Sequence, residues 1–290
     1  MVAKTINGST TVLAVFGDPI RHSLSPLMHN TAFSALDWNC VYIPCHVKAE
    51  ELPDAVRAIK ALHWKGANIT IPHKQTVLEE LDEITGDSQA SGSVNTIINR
   101  EGRLIGTSTD GSGFIRSIRE EGQLELTGKK IILFGAGGSA RAVIYSLIAT
   151  GILSLAIVNR NFSRATALQE RIWNDTGFMA TAHELSGIHE LDWQSYDLLI
   201  NSTSVGLYDE QSLVPLQFLT PGLFVYDLVY KKGGTQLYRD ATANGCQVLS
   251  GLSLLLYQGA ESFRLWFDID PPITIMRQAL YHYYEIGSIK

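Results

Sequence analysis

The sequence holds only three cysteines, Cys40, Cys45 and Cys246, and no CxxC pair. Three thiols cannot all be joined in intramolecular disulfides, and a reducing cytoplasm is the expected setting. The eight histidines form no HExxH and no helical pair beside carboxylates, which leaves a metal site without support. No uninterrupted apolar run is long enough to cross a bilayer, and the first residues lack the basic start and apolar stretch of an export signal. Neither a membrane nor secretion is expected. Basic charge is scarce as well: 23 Lys and Arg against 29 Asp and Glu give a net charge of −6, no footprint for a nucleic-acid backbone or an anionic membrane. A small anionic substrate must then be held by local donors.

What is present is the material of a large core. The 290 residues are 45% apolar and 18% charged, without low-complexity tracts or internal repeats, and the length suits two domains. Short β-rich runs at 12–16, 41–44, 67–70 and 94–98 alternate with helix-like stretches at 27–36, 50–62 and 74–81, the mark of an α/β layer. The turn at 100–103 between apolar runs predicts a hairpin of 94–99 with 104–107. Residues 111–121 read as helix and the polar, turn-rich stretch 122–128 as a hinge between two lobes. Strands at 130–134, 155–158, 198–200 and 224–228, with a helix at 162–173, fit βαβ crossovers. After 246–249 the pattern becomes two long apolar helices, 252–267 and 272–284, expected to pack back across both lobes.

The clearest chemical signal opens the second half. Strand 130–134 runs into Gly135-Ala136-Gly137-Gly138-Ser139-Ala140 and then a helix stopped by Gly151. Gly135, Gly137 and Ala140 satisfy the GxGxxA spacing. The first glycine permits the tight turn, the second lets a pyrophosphate approach the backbone, and the small third residue lets helix and strand pack closely. The helix N-terminus then offers free N–H groups to phosphate oxygens. The next strand ends at Asn159-Arg160, where NAD-binding turns carry an acid for the ribose hydroxyls. An acid there would repel a 2′-phosphate, whereas Arg160, with Arg164 one helical turn later, can clamp it. NADP is the expected cofactor.

Several less common blocks accompany this loop in order: 17–30 (GDPIRHSLSPLMHN), 68–74 (NITIPHK), 94–96 (VNT), 109–111 (TDG), 135–142 (GAGGSARA), 159–160 (NR), 201–206 (NSTSVG) and 258–260 (QGA). Together they resemble the shikimate dehydrogenase family along nearly the whole chain. The resemblance implies a two-lobed α/β protein. A substrate-binding domain would comprise 1–110 plus 252–290, and a doubly wound, Rossmann-type NADP-binding domain 111–251, with the C-terminal helices returning to the first lobe. It implies reversible reduction of 3-dehydroshikimate to shikimate with NADPH, a step of aromatic amino-acid (chorismate) biosynthesis; closure between the lobes is expected because hydride transfer benefits from excluding water and aligning two ligands.

Residue chemistry agrees with that allocation. Ser23 and Ser25, two apart in an extended loop, can aim both hydroxyls one way, and Pro26 suits the first position of a following helix. The resemblance places the substrate carboxylate on Ser23 and Ser25; a simple N-cap at Ser25 is the plainer reading. Lys74 is expected in the first turn of a helix, where the macrodipole disfavours a cation, so it needs a partner. Asp110, just past a strand end, can supply it. The resemblance makes Lys74 and Asp110 the catalytic pair, with Lys74 the primary proton donor and acceptor. Asn68, Thr70, Asn95 and Gln258 are assigned to the polyol ring and Tyr230 to its neighbourhood. Thr203, Ser204 and Val205, beyond strand 198–200, are placed on the nicotinamide side, and Gly251 on the same wall.

Three positions depart from the family pattern. Ser108 stands where Asn is usual, Asn161 where threonine is usual, and Lys231-Lys232-Gly233-Gly234 replaces a proline-containing turn. The last change predicts a more flexible, more basic segment after Tyr230. Two rivals stay open: an NAD-preferring quinate/shikimate dehydrogenase, against which Asn159-Arg160 argues, and a ligand sensor on the same fold that performs no turnover. Oligomeric state is also open, a homodimer included.

Overall fold

The computed structural model describes residues 6–284. It separates into two compact units, 1–113 with 255–290, and 114–254. Both breaks fall inside helices, α4 (Asp110–Ser117) and α8 (Gly251–Phe267). Among the described residues, no helix is long and apolar enough to cross a membrane.

The first unit is built on a six-stranded sheet. Its strands are β1 (Thr11–Gly17), β2 (Cys40–His46), β3 (Gly66–Ile69), β4 (Glu83–Ile84), β5 (Thr96–Arg100) and β6 (Arg103–Thr107), in the order β2-β1-β3-β5-β6-β4. β2, β1 and β3 are parallel, while β5 runs antiparallel to both β3 and β6, so the hairpin expected around residue 101 is present. These directions gather functional groups on one side. The carboxyl ends of β1 and β3, the start of β5 and the end of β6 all lie along one sheet edge, because Asn68 pairs with Thr96 and Thr96 with Thr107. Alternate residues Ala14, Phe16, Ala67 and Ile69 bury one face against Val56 and Ile59 of α2 (Leu52–Ala61). Burying each of Phe16, Ile69, Val56 and Ile59 contributes about 1.5–3 kcal/mol, and each alanine less. The helix α1 (Ser25–Ala35) packs on α9 (Ile273–Tyr284).

One expected helix of this unit is absent. Residues 74–81 form a turn and then the short 3-10 stretch Thr76–Glu80. The Lys74 carbonyl, which a helix would spend on the N–H four residues on, instead accepts from Val94 N–H at 2.8 Å. Lys74 is therefore held by the segment leading into β5, not in the first turn of an α-helix.

The second unit carries β7 (Lys130–Phe134), α5 (Gly138–Ala149), β8 (Ser154–Asn159), α6 (Phe162–Thr176), β9 (Thr181–Glu184), β10 (Leu198–Asn201), β11 (Phe224–Asp227), α7 (Gln236–Ala243) and β12 (Gln247–Ser250). Its strand order is β12-β11-β10-β7-β8-β9, and every pairing is parallel. That is the doubly wound order in which two βαβ halves diverge from a central switch point, here between β7 and β10. Ile131 and Leu133 point into one apolar layer, Ile132 and Phe134 into the other, as a sheet covered on both faces requires. The stretch 122–128 belongs to this core and is not a hinge. A Cβ on Gly122 would come 2.9 Å from the Phe224 ring, and Leu126 is buried. Its polar composition misled because the apolar contacts rest on two leucines.

Candidate active site

Along the carboxyl edge of the first sheet, Lys74 and Asp110 form a salt bridge through Oδ2, with side chains only 14% and 4% exposed. They come from different connections, Lys74 from the turn after β3 and Asp110 from the end of β6. The second carboxylate oxygen, Oδ1, accepts from Asn95 Nδ2 at 2.8 Å. An ionised pair removed from water persists when its remaining lone pairs are also satisfied, and that is the arrangement here.

Asn95 organises the surroundings. Its Nδ2 also donates to Thr109 Oγ1 at 3.0 Å and Gln258 Oε1 at 3.2 Å, and its Oδ1 accepts Thr109 N–H at 2.8 Å and Thr96 Oγ1 at 2.9 Å. Asn68 is equally committed. It donates to the Asn95 carbonyl at 3.0 Å, Thr96 Oγ1 at 3.1 Å and Ser262 Oγ at 3.0 Å, and accepts from Tyr42 OH at 2.7 Å. Gln258 reaches this group because α8 passes close to α4: a Cβ on Gly113 would lie 2.6 Å from Gln258 N. Ser262, Thr96, Thr109 and Tyr42 complete the network; Thr96 and Thr109 lie in the 94–96 and 109–111 blocks, whereas Ser262 and Tyr42 were not singled out from the sequence. Their part follows from partners up to 194 positions away, which no local pattern carries.

Two hydroxyls on the same edge keep their capacity. Ser25 Oγ and Thr70 Oγ1 make no hydrogen bond among the described residues, and Ser23 Oγ only accepts a long one, from Ser25 N–H at 3.4 Å. Thr70 flanks the end of β1, where its Cγ2 would collide with a Cβ on Gly17. The helix cap differs from the plain reading. Leu24 occupies the N-cap, Ser25 is the first helical residue and Pro26 the second, so the Ser25 hydroxyl is not used to cap α1. Ser108 Oγ, at the family departure, is buried without a partner.

In the second unit the glycine loop fits a dinucleotide by three separate observations. Gly135 has φ +117°, and a Cβ there would strike Ser202 Oγ at 2.5 Å. A Cβ on Gly137 would meet nothing within 4 Å, so that position leaves open room at the N-terminus of α5, which no side chain caps. Ala140 is fully buried in the core between α5 and the sheet. The three positions thus show the tight turn, the open approach and the close packing that a pyrophosphate cradle requires. Ala136, Gly138 and Ser139 complete the loop. Asn159 ends β8 and donates to the Asn161 carbonyl at 2.8 Å, while Arg160 and Arg164 are exposed and have no acceptor among the described residues.

Beyond β10 the segment 201–206 is pinned to β11. Asn201 Nδ2 donates to Asp227 Oδ1 at 2.8 Å, and Asn201 Oδ1 accepts Thr203 N–H at 3.0 Å and Thr203 Oγ1 at 2.7 Å. Thr203 Oγ1 in turn accepts from Val205 N–H at 3.1 Å; Ser204 is exposed. Asp227, fully buried, also accepts from Val229 N–H at 3.1 Å and from Thr235 Oγ1. Burial pushes its carboxyl up to about 6. The segment after Tyr230 is accordingly fastened at both ends. Lys231 Nζ bonds the Asp209 carbonyl at 2.9 Å and Glu210 Oε1 at 2.5 Å, and Thr235 caps α7. The expected looseness is offset by contacts that composition does not reveal. Gly251 sits against the Leu228–Val229 backbone, so closely that a Cβ would overlap the Leu228 carbonyl oxygen.

Lys74, Asp110, Asn68, Asn95, Thr70, Ser23, Ser25 and Gln258 thus belong to the first unit; the glycine loop, Asn159, Arg160, Arg164, 203–205, Tyr230 and Gly251 belong to the second. Likeness to known proteins places the chain. Residues 15–97 match the shikimate dehydrogenase substrate binding domain, 118–208 the shikimate / quinate 5-dehydrogenase family, and 251–281 the shikimate 5'-dehydrogenase C-terminal domain. The NADP(+) shikimate dehydrogenase of Pyrococcus furiosus is 41% identical over 94% of this chain and 96% of its own length. The chain belongs to the shikimate dehydrogenase family.

Solved members of the family have the same architecture. A shikimate dehydrogenase crystallised with NADP+ superposes with a TM-score of 0.89 at 34% identity, covering 98% of this chain and 99% of the other. The Thermus thermophilus enzyme, in complex with NADP(H) and shikimate, gives 0.83 at 35% identity over 94% and 99%. The family accounts for the two-unit α/β fold and for the glycine loop. Asp227 was not singled out from the sequence, since it closes an ordinary buried strand.

Proposed function

We propose that the protein is an NADP-dependent shikimate dehydrogenase, an oxidoreductase that reduces 3-dehydroshikimate to shikimate and runs in reverse with NADP. The observation that carries the reading is the buried Lys74–Asp110 pair, set on the sheet edge that also carries the Ser23, Ser25 and Thr70 hydroxyls. The dinucleotide, once bound, supplies hydride to the ring carbonyl carbon or takes it back. Lys74 Nζ gives the proton to the carbonyl oxygen in reduction and receives it from the hydroxyl in oxidation. Asp110 holds that ammonium in place and is itself held by Asn95.

The substrate carboxylate is assigned to Ser23 and Ser25, whose hydroxyls are two donors beside the start of α1. Thr70 and Gln258 take ring hydroxyls. Asn68 and Asn95, already bonded within the protein, bind the ring by exchanging one of those bonds. In the second unit, residues 135–140 hold the pyrophosphate, Asn159, Arg160 and Arg164 the 2′-phosphorylated ribose, and Thr203, Ser204, Val205 and Gly251 the nicotinamide; Tyr230 is assigned to the substrate. A cytoplasmic setting is proposed, in keeping with three free cysteines. Light scattering decides whether the assembly is a homodimer.

Initial rates with shikimate and quinate, each with NADP and NAD, test the reading. Shikimate with NADP is expected to give the highest kcat/KM. A preference for quinate with NAD would replace the substrate and cofactor assignment, and no turnover with any pair would make the protein a ligand sensor.

A further inference from the structure

Arg141 stands in the first turn of α5, directly after the glycine loop. Its Nε is buried with no hydrogen-bond partner, and its guanidinium forms no ion pair among the described residues. Desolvation, followed by the like charges of Arg171 and Arg164, pulls its pKa below the usual arginine value. Arg171 is compensated, since Asp175 lies 3.4 Å from its Nε. Arg164 is not, and neither is Arg160 at the end of β8.

Folded proteins pair their partly buried cations, because an ionised group that has lost water must recover the loss from a partner. Here one half-buried guanidinium in the first turn of α5 and two exposed ones at the entry to α6 lie beyond the carboxyl ends of the paired parallel strands β7 and β8, with no carboxylate partner among the described residues. A helix N-terminus adds partial positive charge to the same neighbourhood. The chemistry that satisfies this set is a multiply charged anion with several acceptor oxygens. A phosphate monoester, which carries about −1.5 to −2 charge at neutral pH, engages more than one guanidinium.

We propose that Arg141 is a third arginine for the ribose 2′-phosphate of the dinucleotide, acting with Arg160 and Arg164, and that it helps set the preference for NADP over NAD. The proposal rests on the NADP reading given above. It assigns to Arg141 a contact with the phosphate that distinguishes the two dinucleotides, and not with the pyrophosphate that they share.

Binding measured without turnover separates these roles. The intact protein and its Arg141→Met, Arg141→Gln and Arg141→Lys variants are titrated calorimetrically with 2′-phospho-ADP-ribose and with ADP-ribose. The expected result is a loss of about tenfold or more for the 2′-phosphorylated compound in Arg141→Met and Arg141→Gln. ADP-ribose binding should change by less than about twofold, which also reports an intact fold. Arg141→Lys should recover part of the loss, since a lysine keeps the charge and loses the planar fork. Equal losses for both compounds would move Arg141 to the pyrophosphate and overturn the proposal, as would unchanged binding of both. If the parent protein itself shows no preference for the 2′-phosphorylated compound, the NADP reading fails and this proposal with it. A parent that prefers it, with variants that keep the preference, overturns the Arg141 assignment alone.

Discussion

Asp110 keeps its charge out of water because Lys74 supplies one partner and Asn95 another. Removing the ammonium by Lys74→Ala is therefore expected to act twice. Turnover should fall by about 10²–10⁴-fold through loss of the proton carrier, and stability by about 3 kcal/mol through the unpaired carboxylate. Adding Asp110→Asn should restore much of the stability and none of the turnover. Urea denaturation and initial rates on the single and double variants check both halves; a double variant as unstable as the single one would remove the ion pair from the account of stability. Asp227 is buried among neutral donors instead. Its carboxyl titrates at about 6 in the fold against an ordinary 3.8, so the folded state binds the proton more tightly. Its favourable contribution is thus fully present below about pH 4 and is lost as pH rises through 6, the loss reaching about 3 kcal/mol by neutral pH. Relative to the parent, Asp227→Asn should gain stability steadily between pH 4 and 7 in chemical denaturation. A difference independent of pH would show that the buried carboxyl is not the titrating group. The Lys74–Asp110 ion pair was readable from sequence because a cation and a carboxylate each stand in a distinctive block. Asp227 was not, because its importance lies in what surrounds it in space.

Among the elements, the turn from β7 into α5 separates two glycines that look alike in sequence. Gly135 combines φ +117° with the near collision at Ser202, whereas Gly137 has φ −84° and open room around it. Gly135→Ala is expected to destabilise the protein by about 1–3 kcal/mol. Gly137→Ala should leave the melting temperature almost unchanged yet weaken NADP binding by about tenfold or more, because its methyl group enters the space meant for phosphate oxygens. Differential scanning calorimetry and equilibrium titration separate the two, and a large melting shift for Gly137→Ala would contradict this division of roles. The longer strands and helices were legible from periodicity, since continuous burial leaves unbroken apolar runs such as β7 and β8. The two-residue β4, the exposed edge strand β9 and the eight-residue α7 were not singled out, being too short or too polar for a period to register. The 74–81 stretch reads as helix for the converse reason: its pattern is adequate, but a carbonyl taken by Val94 N–H overrides it.

For the molecule as a whole, the allocation of ligands to units predicts where binding is felt. Shikimate alone should slow amide exchange at 17–25, 68–74 and 95–110, and NADP alone at 135–141 and 159–164. Each ligand at 100 times its Kd should add about 2.7 kcal/mol to the unit that binds it. Protection by shikimate confined to 114–254 would reverse the assignment. The two-unit division was legible in outline, yet the exact breaks were not, because helices α4 and α8 run uninterrupted through both. The first unit is also discontinuous: Ser262 accepts from the Asn68 amide, and the Trp266 indole donates to the Ile97 carbonyl at 2.9 Å while filling the space left by Gly66. During synthesis on the ribosome, residues 1–113 emerge first but must wait for 255–290, by which time the intervening body has been made entire. The portion translated second can thus reach its native packing before the portion translated first, and a nascent chain spends that interval with the Gly66–Ile97 groove uncovered.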